Sequence, residues 1–116
     1  MHFIDISTIE EAKIQIQEIG SDPKSIEIMA PKTILKIIRV NNVILQDAII
    51  IKQDMLSIGG EVAVPKNTFK LHDKTGDILI IGNLKQIKDL IGKLKRHYSR
   101  LRKISEEISI LLNDVK

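Results

Sequence analysis

The sequence predicts a two-layer α/β sandwich: one small mixed sheet with helices packed on it, closed by a C-terminal helix or helix pair. Three observations carry this. The apolar residues switch between alternation and helical spacing several times along 116 residues. A composition of 43% hydrophobic and 28% charged residues is that of a globular chain, and a domain of this length buries roughly 65% of its unfolded surface. Ile fills 24 positions and aromatics only 3%, so the core is aliphatic and β-branched.

The elements follow in order. His2 to Ile6 alternate as a strand does and run into Ser7, Thr8, Glu10 and Glu11, the start of a capped helix over 8–19. Gly20 stands where a left-handed C-terminal cap belongs, and Asp22-Pro23 restarts a short helix toward Met29. Ala30-Pro31 ends that helix, and Thr33 to Val40 reads as a strand turned by Asn41-Asn42. A helix over 43–58 closes at Gly59-Gly60, and Glu61 to Val64 is the next strand. The crossover between these two strands implies parallel pairing of neighbours. Pro65 to Thr75 is polar and turn-like. Asp77 to Ile81 is the strongest strand, expected at the centre of the sheet and buried on both faces. Gly82-Asn83 leads into a helix over 84–97, and a last helix over about 100–113 follows a weak break near Tyr98-Ser99. The whole is a single domain, 1–116, with an α/β core to about residue 97 and a C-terminal helix over about 98–116.

Composition excludes several functions. With no Cys, the chain has no disulfide, thiolate metal site, iron–sulfur cluster or cysteine nucleophile, and His2, His72 and His97 are too scattered to form a metal pattern. No cofactor is implied. The N-terminus lacks the basic start and apolar run of a secretory signal, and no apolar run approaches the roughly 20 residues needed to cross a bilayer. A cytoplasmic location with no membrane partner is the expectation.

Charge is uneven. Lys85, Lys88, Lys93, Lys95, Arg96, Arg100, Arg102 and Lys103 stand against Asp89 alone, giving residues 85–103 a net +7 within a chain of +3. Such a patch steers anions or nucleic acid, although a solvated helix face is the commoner use. Few aromatics are available for base stacking, so nucleic acid is an alternative and not the favoured partner.

The stretch Ile51-Lys52-Gln53-Asp54-Met55-Leu56-Ser57-Ile58-Gly59-Gly60-Glu61-Val62-Ala63-Val64 resembles part of the N-terminal extension domain of clostridial and archaeal dihydropteroate synthases. Gly76 to Asn83, followed by Gln86, Leu90, Lys93 and Leu94, resembles that domain's second strand-to-helix block. Ile19-Gly20 with Asp22, Ile26, Met29, Ala30, Pro31 and Lys32 resembles its opening, and the likeness covers about residues 10–112. It implies a module that precedes a pterin-binding (β/α)8 barrel, a barrel that needs about 250 residues and is absent from these 116. Two departures stand out: Ile49 where the family has Asn, and His97-Tyr98-Ser99-Arg100 where its linker reads Gln-Pro-Phe-Gly. The resemblance implies a non-catalytic accessory or interaction module linked to pterin or folate biosynthesis, or the excised N-terminal domain of a full-length dihydropteroate synthase-like protein.

Read as chemistry, a few residues are candidates for ligand or anion binding. Lys52 lies among Ala48, Ile49, Met55 and Leu56 on a helical wheel, so its ammonium either snorkels to water or meets an anion, Asp77 or Glu61. Gly59-Gly60 and Gly82-Asn83 place backbone amides at helix ends, where anions bind, yet a C-terminal cap and an N-cap are their simplest uses. No catalytic residue is assigned. A surplus of apolar residues, Ile50 on one helix and Leu101, Ile104 and Ile108 on the last, predicts a partner surface. That partner is a second copy forming a homodimer, or a separate pterin-binding barrel.

Overall fold

The computed structural model describes residues 1–66 and 74–114. Residues 67–73, which hold His72, Asp73 and most of the expected 65–75 turn, lie outside the described residues. Five helices and three strands follow in the order α1 (Ile9–Ile19), α2 (Pro23–Met29), a 3₁₀ turn (Ala30–Thr33), β1 (Leu35–Ile44), α3 (Leu45–Ser57), β2 (Glu61–Ala63), β3 (Thr75–Asn83), α4 (Leu84–Leu94) and α5 (Ser99–Asp114).

Local chemistry sets the helix ends. Thr8 caps α1 by accepting from Glu11 N–H at 3.1 Å, and Gly20 closes it at φ 87° in the left-handed region. Asp22 caps α2 by accepting from Lys24 N–H at 2.9 Å, with Pro23 at the first helical position. Asn83 and Gln86 form a reciprocal capping box at the start of α4.

The sheet has the order β1-β3-β2, and both pairings are antiparallel. The α/β sandwich stands, but its sheet is not mixed and the predicted parallel pairing of the strands on either side of α3 does not occur. Those strands do run in the same direction, because each is antiparallel to β3, which lies between them. A crossover helix fixes the relative direction of two strands; it does not forbid a third from inserting between them. Residues 2–6, expected as a strand, form no regular structure and are largely exposed. They pair with no strand of the sheet, although the outer edge of β1 is free.

Asn41-Asn42 is likewise not a turn. The strand runs through it with a bulge between Val40 and Val43, where Asn42 takes φ 56°, and the helix starts at Leu45. Asp77 on β3 holds the bulge by accepting from Asn42 N–H at 3.0 Å.

Helices α3, α4 and α5 cover one face of the sheet, and Ile38, Val43, Ile51, Met55, Val62, Ile78, Ile80, Ile87, Leu90, Leu94 and Leu101 close the core between them. Ile78 and Ile80 are buried, whereas Leu79 and Ile81, which alternate to the other face, are only half covered. The central strand is therefore fully buried on one face, not two. On the uncovered face Leu35, Ile37, Leu79 and Ile81 form an apolar strip, with Leu35 and Ile37 60% exposed or more.

Candidate functional site

The structure brings together two candidate segments that lie more than 20 residues apart in sequence. Gly59 and Gly60, after α3, and Gly82 and Asn83, at the end of β3, share an open cleft of about 520 Å³ with Lys32, Thr33, Glu61 and Gln86. Antiparallel pairing of β2 with β3 produces this meeting, because Glu61 lies opposite Ile81.

The donors of this cleft are already engaged. Gly59 N–H donates to Leu56 O at 3.1 Å, and Gly60 N–H to Met55 O at 3.0 Å, as in an ordinary helix C-terminus. Gln86 N–H donates to Asn83 Oδ1 at 2.8 Å, and Asn83 N–H to Gln86 Oε1 at 2.9 Å. Leu84 N–H donates to Ile34 O at 2.8 Å, and the Gln86 side-chain amide to Ile58 O at 3.3 Å. Thr33 Oγ1 donates to Ala30 O at 2.8 Å. Lys32 is the cation on the wall, and the Glu61 carboxylate across from it repels an anion. Packing favours glycine at both joins: a Cβ on Gly60 would stand 2.4 Å from Met55 Cε and 2.8 Å from its Cγ and Sδ, and one on Gly82 would meet the Met55 methyl end at 2.4 Å. Met55 fills the space that both joins leave open.

Lys52 is not free for a ligand. Its ammonium donates to Glu61 Oε1 at 2.9 Å and to Val62 O at 2.7 Å, fastening α3 to the short edge strand β2. The Lys52 hydrogen bond, followed by that from Val62 N–H, holds the Glu61 carboxyl below its ordinary range. Asp77 lies on the opposite, uncovered face of the sheet. There it accepts from Asn42 N–H and, at 2.7 Å, from Arg39 Nη2; these two, in that order, hold its carboxyl below the usual range. Lys52 and Asp77 thus serve different faces and form no common site.

A polar cluster that sequence reasoning missed sits at the joint between α4 and α5. Asp47 is buried on α3, and its carboxylate accepts from the Tyr98 hydroxyl, from Arg100 Nε at 2.8 Å and from Arg100 Nη2 at 3.0 Å. Arg100 also lies over the Tyr98 ring, 4.7 Å from its centroid. Two turns further along α3, Asp54 Oδ2 and His97 Nε2 are 2.9 Å apart. Burial pushes the Asp47 carboxyl up, but hydrogen bonds from Arg100 and Tyr98 and the Arg100 charge outweigh it, so the group stays below the usual carboxylate range. Burial and the Asp47 carboxylate push the Tyr98 phenol up, which keeps it a hydrogen-bond donor. The cluster explains a chain break that no Gly or Pro marks: residues 95–98 leave the helix because His97, Tyr98 and Arg100 are drawn onto α3. An acidic residue among Ala48 and Ile51, with a matching Tyr-Ser-Arg run downstream, was the available signal.

The four residues expected at a partner surface lie against the chain's own core. Leu101 and Ile108 are buried, and Ile50 and Ile104 are partly buried against the same cluster. Ile50 falls in the polar arc of α3, but that arc is not a solvent face, since Asp47 within it is covered by the α4–α5 joint. The apolar side chains that α5 leaves exposed are Ile110 and Leu111. Of the eight basic residues, Lys85 is paired with Asp89 and Arg100 with Asp47. Lys88, Lys95, Arg96, Arg102 and Lys103 are exposed and Lys93 is half covered. Among the described residues no group of three His, Asp or Glu side chains converges on a metal position, and no helix is long and apolar enough to cross a membrane.

The chain is 25% identical over 96 residues to the bifunctional dihydropteroate synthase/dihydropteroate reductase of Helicobacter pylori (strain ATCC 700392 / 26695). The match takes in 83% of this chain and 25% of that protein, so the chain spans about a quarter of its curated relative. It supports a distant relationship to dihydropteroate synthase-containing proteins. No protein-family model matches the chain, and no solved structure matches it significantly.

Proposed function

We propose that this chain is a non-catalytic accessory module of a dihydropteroate synthase-type protein, docking on the synthase through the uncovered face of its sheet. The observation that carries the reading is the 96-residue match, which takes in most of this chain and only a quarter of its relative. A segment of that proportion is suited to an appended domain and not to a pterin-binding barrel, which needs about 250 residues. Two structural facts support it. Apart from Lys32, the polar side chains and helix-end amides of the cleft are engaged within the fold, so the cleft presents no unengaged acid–base pair. The strip Leu35, Ile37, Leu79 and Ile81 is apolar surface that no element among the described residues covers fully. The same reading holds whether the synthase is a separate protein or the remainder of one longer polypeptide.

The test is binding between this chain and the dihydropteroate synthase barrel of the same organism, followed by titration calorimetry. The reading expects a complex that Leu79→Glu and Ile81→Glu abolish while the isolated variants keep their fold. Absence of a complex with the intact chain would reject it. A second reading, contact with an anionic polymer, rests on the basic side chains of α4, α5 and the joint between them that no carboxylate among the described residues engages. It expects retention of nucleic acid that falls steeply with salt.

A further inference from the structure

The free edge of the sheet shows a second, independent surface. Leu84 N–H donates to Ile34 O, so even-numbered residues of β1 exchange ladder bonds with β3, and Leu35, Ile37 and Arg39 turn their N–H and C=O groups outward. Among the described residues no strand lies on that side. β1 is ten residues long, and Leu35 and Ile37 on it are exposed, the combination that invites another strand. Beneath the same edge, β1 and α5 enclose a cleft of about 210 Å³ walled by Ile38, Val40, Ile104, Ile108 and Leu111, with Glu107 beside them. Among the described residues, neither Glu107 nor Lys36 of β1 has an ion-pair partner.

We propose that this edge binds a second copy of the chain, β1 pairing antiparallel with the partner's β1 across a two-fold axis at Ile37. Charge narrows the register. Of the arrangements that match outward-facing groups to outward-facing groups, an axis at Lys36 opposes two lysines and an axis at Arg39 opposes two arginines, both repulsive. Axes at Leu35, Ile37 and Ile38 oppose no like charges, and of these the axis at Ile37 sets the exposed Ile37 side chains against each other. An axis at Ile37 places Ile37 against the partner's Ile37 and Leu35 against the partner's Arg39. On the helix side it sets Lys36 beside the partner's Ile38, at the mouth of the partner's cleft. There the apolar stem of Lys36 packs between β1 and α5, and its ammonium pairs with the partner's Glu107. Because the operation is two-fold, both clefts and both charges are satisfied at once. The uncovered apolar strips join into one six-stranded face, so this inference goes beyond the accessory role and does not depend on it.

Sedimentation equilibrium of the full chain between about 1 and 100 μM, the range that reads micromolar affinity, tests the proposal. A dimer is expected. Ile37→Lys sets like charges across the axis at an exposed position, and should give a monomer with an unchanged melting curve. Ile37→Pro removes an outward N–H that no intramolecular bond uses, and should do the same. Lys36→Glu or Glu107→Lys alone should weaken dimerisation about tenfold, and the two together in one chain should restore it. A monomer at the highest concentration, a dimer that Ile37→Lys leaves intact, or a charge swap without rescue would overturn the proposal. So would a dimer that is lost when residues 1–7 are removed, since the edge would then be holding the N-terminal segment.

Discussion

Replacing Asp47 with Ala should cost this domain about 2–3 kcal/mol. The side chain accepts three hydrogen bonds, two from Arg100 and one from Tyr98, and is 3% exposed, so it is a charged acceptor removed from water and fully used. Bonds to a charged group contribute about 1.5–3 kcal/mol each where both partners are buried, a sum the structure does not support. Arg100 is 50% and Tyr98 41% exposed, so both recover water when the carboxylate is removed, and the loss falls toward the lower end for the set. For a domain of this size the result is a melting point lower by about 10 °C. Thermal and urea denaturation measure it, and a double-mutant cycle with Tyr98→Phe separates the cluster from simple loss of volume. A loss below about 0.5 kcal/mol, or strict additivity in the cycle, would refute the argument that this cluster fixes the α4–α5 joint.

Ile80→Asp places a carboxylate at a fully buried position of the central strand and should abolish the cooperative melt; a transition close to wild type would remove β3 from the core. Gly82→Ala and Gly60→Ala should each cost about 1–3 kcal/mol through collision with Met55, and shortening Met55 to Val should recover part of it in thermal melts. Lys52→Met keeps the packed stem but loses both the ion pair with the exposed Glu61 and the hydrogen bond to Val62 O, so a modest destabilisation of about 1 kcal/mol is expected in thermal melts. The Asp47 carboxyl titrates lower in the folded than in the unfolded chain, so its contribution is complete above the unfolded value of about 4 and is lost as pH falls through the folded one. Denaturation between neutral pH and pH of about 2 should therefore show a steeper acid loss in wild type than in Asp47→Asn.

Elements whose ends are marked by local chemistry were legible in the sequence. Thr8, Gly20, Asp22-Pro23 and Asn83 each perform the cap their residue type announces, and Ile78 and Ile80 take the central strand. Non-local facts were not legible. Nothing in the spacing of β1, α3 and β2 reveals that β3 enters between the two strands, and alternation at His2 to Ile6 cannot say whether an edge lies within reach. Asn41-Asn42 carried a turn signal that the long ladder to β3 overrode, with Asp77 stabilising the resulting bulge. The site divides in the same way. The glycine pairs were visible as a pattern, but only the position of Met55 shows that they make room for a side chain. Lys52 was visible as a cation on an apolar arc, and of its two suggested carboxylates it meets Glu61 and not Asp77.

The accessory role is tested most directly by hydrogen–deuterium exchange of this chain alone and in the presence of the dihydropteroate synthase barrel from the same organism. The account predicts slowed exchange on β1 and on the 77–81 stretch of β3, the segments that carry Leu35, Ile37, Leu79 and Ile81, with no change at Gly59-Gly60 or in the first turn of α4. Identical exchange in both samples, or protection confined to the cleft, would contradict it.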